Sequence, residues 1–436
     1  MNRETSFPMP AAVPRPQLTL ERILLVVGGA FVFFNTLTLN TLRGDNSPAS
    51  WVTFIVWVAC AAAGEGWLSR KLPRRDRLLF PLAMFMSGWG LMTIERLTPY
   101  FADRQTLWLA VSVLALLVTI TLPNVVRLLR GFRYTLLVVG LLLLIGTILL
   151  GTNPSGQEGA PQLWLGISGL YFQPSEALKV ILVAFLASYL GEQYPTLRFT
   201  TGAASGWRFQ LSPRIIGPIL LMWTICIVVL IWQRDLGAAV LFFMVFLLLL
   251  YVASGSLRIL LMGGLLIVAA AIVAYSLISL VRLRIDIWLN PFGDPDGRSY
   301  QLVQSLMAFG AGGLFGEGLG QGAPYYIPVV HSDFIFASLA EEWGLLGVIV
   351  CVACLAALIM RGLKIAIAQT GKPFQALFAV GLSAIIAVQS LLIMGGVMAL
   401  APLTGVTLPF FSYGGSSLLT NFVIIGLLLR LSSGEN

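Results

Sequence analysis

LGAAVLFFMVFLLLLYVA, Leu236 to Ala253, decides the fold class of this chain: eighteen consecutive residues without a charge. As a helix it would cover most of a hydrocarbon core that is roughly 30 Å thick. Similar runs recur along all 436 residues, which are 58% hydrophobic and only 11% charged. A soluble protein carries roughly 25% charged residues. Inside hydrocarbon every backbone N–H and C=O must be satisfied by the chain itself, which leaves helices or a closed barrel. The weak ten-residue alternation of a barrel is absent. An all-α polytopic membrane protein is expected.

Working outward from that run, hydropathy marks about twelve transmembrane helices: 20–42, 51–69, 78–97, 105–125, 134–151, 174–191, 215–233, 236–253, 259–281, 333–360, 374–398 and 412–430. Residues 1–19 are proline-rich and polar and read as a disordered cytoplasmic tail. The run after them lacks a small-residue cleavage site, so it reads as a retained span. Arg70, Lys71, Arg74, Arg75 and Arg77 crowd one short loop; Arg127, Arg130 and Arg133 fill another. Arg198, Arg208, Arg214, Arg258, Arg361, Lys364 and Lys372 fall on the same side if the spans alternate. The positive-inside rule makes that side, and both termini, cytoplasmic. The long loop 282–332 is then extracytoplasmic, together with 152–173, the turn at Gln233–Asp235, and 399–411.

The net charge of +8 belongs to this topogenic pattern, and no nucleic-acid partner is expected. The four cysteines, Cys60, Cys226, Cys351 and Cys354, all lie inside apolar runs and read as core filling. A single histidine, His331, excludes a His-rich metal site.

Ionisable residues at membrane depth are costly and mark functional sites by default. Glu176 and Lys179 are spaced i, i+3 at the start of a span and can pair. Gln233, Arg234 and Asp235 sit between two spans, where Asp235 suits a helix N-cap and Arg234 could meet an anionic headgroup. The loop 282–332 holds Arg282, Arg284 and Asp286, then LNPFGDPDGRSYQLVQS at 289–305, then the glycine-rich AFGAGGLFGEGLGQG. The glycines suit turns and close helix contacts better than a phosphate cradle. Asp294 and Asp296 both stand in strong turn signals, Asp-Pro and Asp-Gly. Either could serve as a general base, and spacing alone does not choose between them.

Five motifs, in order, resemble the SEDS family (shape, elongation, division, sporulation). They are FQPSEALK at 172–179, QRDLGAA at 233–239, YQLVQSLMAFGAGGLFGEGLG at 300–320, HSDFIFASLAEEWG at 331–344 and PLTGVTLPFFSYGGSS at 402–417. The resemblance implies a peptidoglycan glycosyltransferase in the bacterial cytoplasmic membrane. Such an enzyme polymerises lipid II onto a nascent glycan strand at the outer face, with undecaprenyl pyrophosphate leaving. It aligns the family's essential aspartate, the base, with Asp294, leaving Asp296 at a variable position. It matches Glu176, Lys179 and Asp235 to the family's charged residues. Its motifs also carry Tyr300, Gln304, Ser305, His331, Asp333, Glu341, Ser412, Tyr413 and Ser416 as candidates for substrate binding or the charge network. Arg234, Arg282, Arg284 and Arg298 are candidates for the pyrophosphate, with Gln233 beside them. A class B penicillin-binding transpeptidase is the implied partner, alongside membrane lipids. No cofactor is certain; a divalent cation (Mg or Mn) shared by Asp294 and Asp296 stays open.

The chain departs from the family in two places. Gln162, Leu163 and Trp164 stand where a basic residue commonly precedes the tryptophan. Five spans, in place of three, precede the QPSE helix. The expected division is therefore 1–19 as tail, 20–77 as two extra N-terminal spans and 78–436 as the glycosyltransferase core. A lipid II flippase and a non-catalytic scaffold for a transpeptidase are the rival readings.

Overall fold

The computed structural model describes residues 20–44, 47–153, 162–167, 170–201, 235–369 and 371–434, with isolated positions between 202 and 234. The tail at 1–19, most of the span expected at 215–233, and Arg234 lie outside the described residues. The helices are α1 (Leu20–Arg43), α2 (Val52–Lys71), α3 (Leu79–Leu97), α4 (Pro99–Thr121), α5 (Val125–Gly131) and α6 (Arg133–Leu150). Then come α7 (Pro174–Thr201), α8 (Leu236–Ser254), α9 (Leu257–Leu277), α10 (Ser279–Leu289), α11 (Tyr300–Gly312), α12 (Ile335–Ala368), α13 (Pro373–Val397) and α14 (Gly415–Ser433).

Ten helices among the described residues are long and apolar enough to cross a membrane. Of the twelve expected spans, the one at 215–233 lies mostly outside the described residues. Helix α3 forms where a span is expected but falls outside that set, and it buries almost every residue from Leu79 to Glu95. An interior helix can afford Ser87, Thr93 and Glu95 because protein, not lipid, surrounds them. At the other extreme, the most apolar window of α9 is only 11% buried, so its apolar side chains face lipid.

The core is built around α13, which packs on α7, α8 and α12, while α14 packs on α4. Helix α1 docks on α3.

The segment 282–332 is not an open loop. It contains most of α10, all of α11 and two short 3-10 turns, Pro291–Gly293 and Pro324–Tyr326. The expected span 259–281 breaks at Ile278. Arg282 then folds back, donating to the carbonyls of Tyr275 (3.1 Å) and Ser276 (3.0 Å) in the last turn of α9. These carbonyls lack intrahelical partners, so a guanidinium there stabilises the break. One two-stranded antiparallel hairpin, β1 (Leu165–Ile167) with β2 (Leu170–Phe172), leads into α7.

Candidate active site

Several of the polar residues singled out by sequence are joined by short contacts between helices. Lys179 Nζ lies 2.6 Å from Glu176 Oε2, as the i, i+3 spacing in α7 allows. It also donates to Gln389 Oε1 of α13 at 2.8 Å. Gln389 Nε2 continues the chain of contacts to the Thr407 carbonyl at 2.8 Å, and Thr407 Oγ1 donates to Ser417 Oγ at 2.8 Å. Lys179 and Gln389 are both buried. A buried ammonium needs this much compensation, since an unpaired one would cost several kcal/mol.

Asp235 caps α8, accepting the Ala238 N–H at 2.8 Å. Burial pushes its carboxyl up to about 6; the Ala238 N–H opposes that shift, and the negative Glu176 nearby adds to it. Gln233 is buried beside it and donates to Thr147 Oγ1 at 2.5 Å. Asp333 is raised by burial too, against the pull of Ser332 and Arg284. Arg284, on α10, is shifted down by burial. It makes no hydrogen bond among the described residues. A Cβ added to Gly405 would stand 3.8 Å from Asp333 Oδ2 and 4.0 Å from Arg284 Nη2. Bare backbone thus leaves space where the carboxylate and the guanidinium face each other without touching.

Asp294 lies in the turn between α10 and α11. Its Oδ2 accepts the Arg298 N–H at 3.1 Å and meets Arg298 Nε at 3.4 Å. Both side chains are about half exposed or more (48% and 68%), so the pair is screened and weak. Asp296 is exposed in the same turn. Among the described residues no three His, Cys, Asp or Glu side chains converge as metal ligands.

The remaining candidates divide between site and scaffold. Ser412 is buried, donating to the Ser332 carbonyl at 2.6 Å, and the Tyr413 N–H donates to the His331 carbonyl at 2.8 Å. His331 stacks on Phe101 with ring centroids 4.5 Å apart, and burial lowers its pKa, which keeps the ring neutral. Ser416 accepts the Gln173 N–H at 2.9 Å, tying α14 to the start of α7. Ser305 is fully buried and donates to the Val397 carbonyl at 2.9 Å. Tyr300 and Gln304 are half-buried on α11. Glu341 accepts the Ala323 N–H at 2.7 Å, and Glu342 pairs with Arg96 at 3.3 Å while accepting the Gly320 N–H at 3.1 Å. The glycine-rich run therefore cradles two carboxylates of its own chain.

Sequence reasoning missed Gln389, Thr407 and Trp288. Gln389 was findable, because an amide inside an apolar span needs a buried partner.

A sequence profile of the FtsW/RodA/SpoVE cell cycle protein family matches residues 77–436. The peptidoglycan glycosyltransferase RodA of Mycobacterium tuberculosis (strain ATCC 25618 / H37Rv) is 35% identical over 445 residues, covering 99% of this chain and 94% of that protein. A probable peptidoglycan glycosyltransferase FtsW of Geobacter metallireducens is 31% identical over 378 residues, 84% of this chain and 96% of that one. Among solved structures, a chain of a peptidoglycan synthase complex that coordinates polymerization and crosslinking superposes with a TM-score of 0.68 at 26% identity, covering 83% of this chain and 98% of that chain. The rod shape determining protein RodA of Thermus thermophilus gives 0.56 at 26% identity, with 82% and 96% covered. With the five motifs and these likenesses together, the chain belongs to the FtsW/RodA/SpoVE family and is a polytopic membrane peptidoglycan glycosyltransferase.

Proposed function

We propose that the enzyme polymerises lipid II at the outer face of the cytoplasmic membrane, with both termini cytoplasmic and Asp294 as the general base. Asp294 takes the proton from the 4-hydroxyl of the acceptor sugar. The oxygen attacks the anomeric carbon of the lipid-linked donor, and undecaprenyl pyrophosphate leaves with inversion, giving a β-1,4 link. Arg298 holds the carboxylate loosely enough to yield it to a hydroxyl. Pyrophosphate is best met by a guanidinium with free donors. Arg298 and Arg282 are engaged with Asp294 and with helix carbonyls, and Arg284 is the arginine of this group without a hydrogen bond among the described residues.

The observation that carries this reading is that one helix, α10, holds Arg284 beside the buried Asp333 and leads directly into the accessible turn of Asp294. A flippase would need its key charges nearer the bilayer midplane. A single-span class B penicillin-binding transpeptidase is the proposed partner, in keeping with the crosslinking complex to which the fold is similar. Purified protein in nanodiscs with fluorescent lipid II, resolved on a product gel, tests the chemistry. Asp294→Ala should abolish polymer while Asp296→Ala retains it. Leaflet exchange of lipid II without polymer, indifferent to Asp294→Ala, would support the flippase instead.

A further inference from the structure

The turn that carries Asp294 has little to hold it in place by itself. Its hydrogen bonds are local: Gly293 N–H to the Asn290 carbonyl, Gly297 and Ser299 N–H to the Asp294 carbonyl, and Arg298 N–H to Asp294 Oδ2. Pro295, Asp296, Gly297 and Arg298 are all exposed. Where the carboxylate stands relative to the Glu176–Lys179 pair is therefore decided by the two helices that enter and leave the turn.

Both helices are fastened to the same place. On the entry side, Trp288 near the end of α10 donates its indole N–H to the Ala399 carbonyl at 3.0 Å. On the exit side, Ser305 in α11 donates to the Val397 carbonyl at 2.9 Å. Val397 is the last residue of α13, so both acceptors belong to its C-terminal end, where carbonyls lack intrahelical donors. Ala399 adopts a left-handed conformation with φ +56°. A non-glycine residue accepts that strain only where its surroundings fix the backbone. Two turns earlier the same helix presents Gln389 to Lys179. Helix α13 thus joins the Asp294 turn to the Glu176–Lys179 pair as one rigid frame.

We propose that Trp288 is a positioning residue for glycosyl transfer: with Ser305 it pins both flanks of the catalytic turn to the end of α13 and so fixes the reach of Asp294. This rests on the reading of Asp294 as the base. Misplacing a reacting group by ~1 Å can cost about a hundredfold in rate, whereas loss of a single neutral hydrogen bond costs little stability.

The experiment compares Trp288→Phe, Ser305→Ala and the double variant in nanodiscs, with kcat and KM measured on fluorescent lipid II and thermal midpoints on the same samples. Trp288→Phe keeps an aromatic ring but removes the N–H together with part of the indole, and the thermal midpoints separate lost packing from lost positioning. Each single variant should lower kcat about five- to tenfold, because the other pin still holds, and the double variant about a hundredfold or more. KM and the shape of the pH profile should not move, since no substrate contact or titrating group is altered. A double variant within about twofold of the parent in kcat would overturn the proposal. So would a loss that follows the thermal midpoint and raises KM equally, which is the signature of general loosening. Asp294→Ala with full turnover would overturn the base reading itself, a result distinct from either.

Discussion

Asp235 concentrates the electrostatics of this protein in one residue. Its carboxyl titrates at about 6, above the ordinary 3.8, so the folded state holds that proton more tightly than the unfolded chain does. The sign follows directly: protonated Asp235 favours the folded state below about pH 4, and this advantage is lost as the pH rises through about 6. Asp235→Asn keeps an acceptor for the Ala238 N–H. It should therefore raise the thermal midpoint in detergent at pH 7.5 and leave it unchanged near pH 4. Parallel melting curves for the two proteins across that window would show that Asp235 carries no burial penalty. The residue scale is also where sequence reading reached its limit. The turn signals around Asp294 and Asp296 are equivalent in sequence, and only the fold turns one carboxylate onto its own backbone while exposing the other. Arg282 and Arg284 are more legible. Two residues apart on a helix they point to nearly opposite sides, so one capping α9 and the other facing Asp333 is what helical geometry requires. Trp288 gave no such signal, because a tryptophan near a membrane boundary reads first as an interfacial anchor.

Helix α12 shows why spans were readable and their interruptions were not. Hydropathy finds it as a single run, yet at Gly344 (φ +63°, ψ −165°) its backbone leaves the helix. The broken hydrogen bonds are replaced from a distance. Glu317 and Gly318 donate to the carbonyls of Glu341 and Glu342, and Leu345 and Leu346 donate to those of Gly313 and Leu314. A break at membrane depth is tolerated when other protein backbone satisfies it. Here the partner strand is the glycine-rich run, whose role is non-local and so invisible to a window scan. The short helices α10 and α11 escaped for a related reason: they are too short and too polar to register as spans. Helix α11 offers a test within its own length. A Cβ at Gly312 would stand 1.9 Å from the Ala340 carbonyl oxygen, whereas one at Gly310 meets nothing within 4 Å. Gly312→Ala must push α11 off α12 and should cost about 1–3 kcal/mol. Gly310→Ala should gain up to about 1 kcal/mol from helix propensity. Thermal midpoints measured side by side decide it; equal behaviour of the two variants would mean that the α11–α12 approach is looser than described.

Across the whole molecule, the first N-terminal helix is tied to the bundle along one face. Phe31 of α1 lies 5.5 Å from Trp89 of α3 and 5.4 Å from Trp343 of α12, ring centre to ring centre, next to the Gly344 break. Trp89 in turn meets Phe411 at 5.6 Å, in the segment that leads into α14. At the N-terminal end of α1, Arg75 grips Glu21 through two contacts, Nη2 to Oε2 at 2.7 Å and Nε to Oε1 at 3.3 Å. Both side chains are buried, at 5% and 2% exposure. Hydropathy announces α1 and α2 plainly, but no pattern in the sequence pairs Glu21 with an arginine 54 positions away. Burying two charges costs nearly what their attraction returns, so the pair is worth little against an apolar replacement and much against a single deletion. Glu21→Leu alone leaves the guanidinium hydrogen-bonded to Leu72 and Ser69, with Glu65 the nearby charge, and it should cost about 3–5 kcal/mol. Combining it with Arg75→Met should recover most of that loss, measured as the thermal midpoint of detergent-purified protein. If the double variant is as unstable as Glu21→Leu alone, the ion pair itself, and not the relief of an uncompensated charge, holds α1 against the loop before α3.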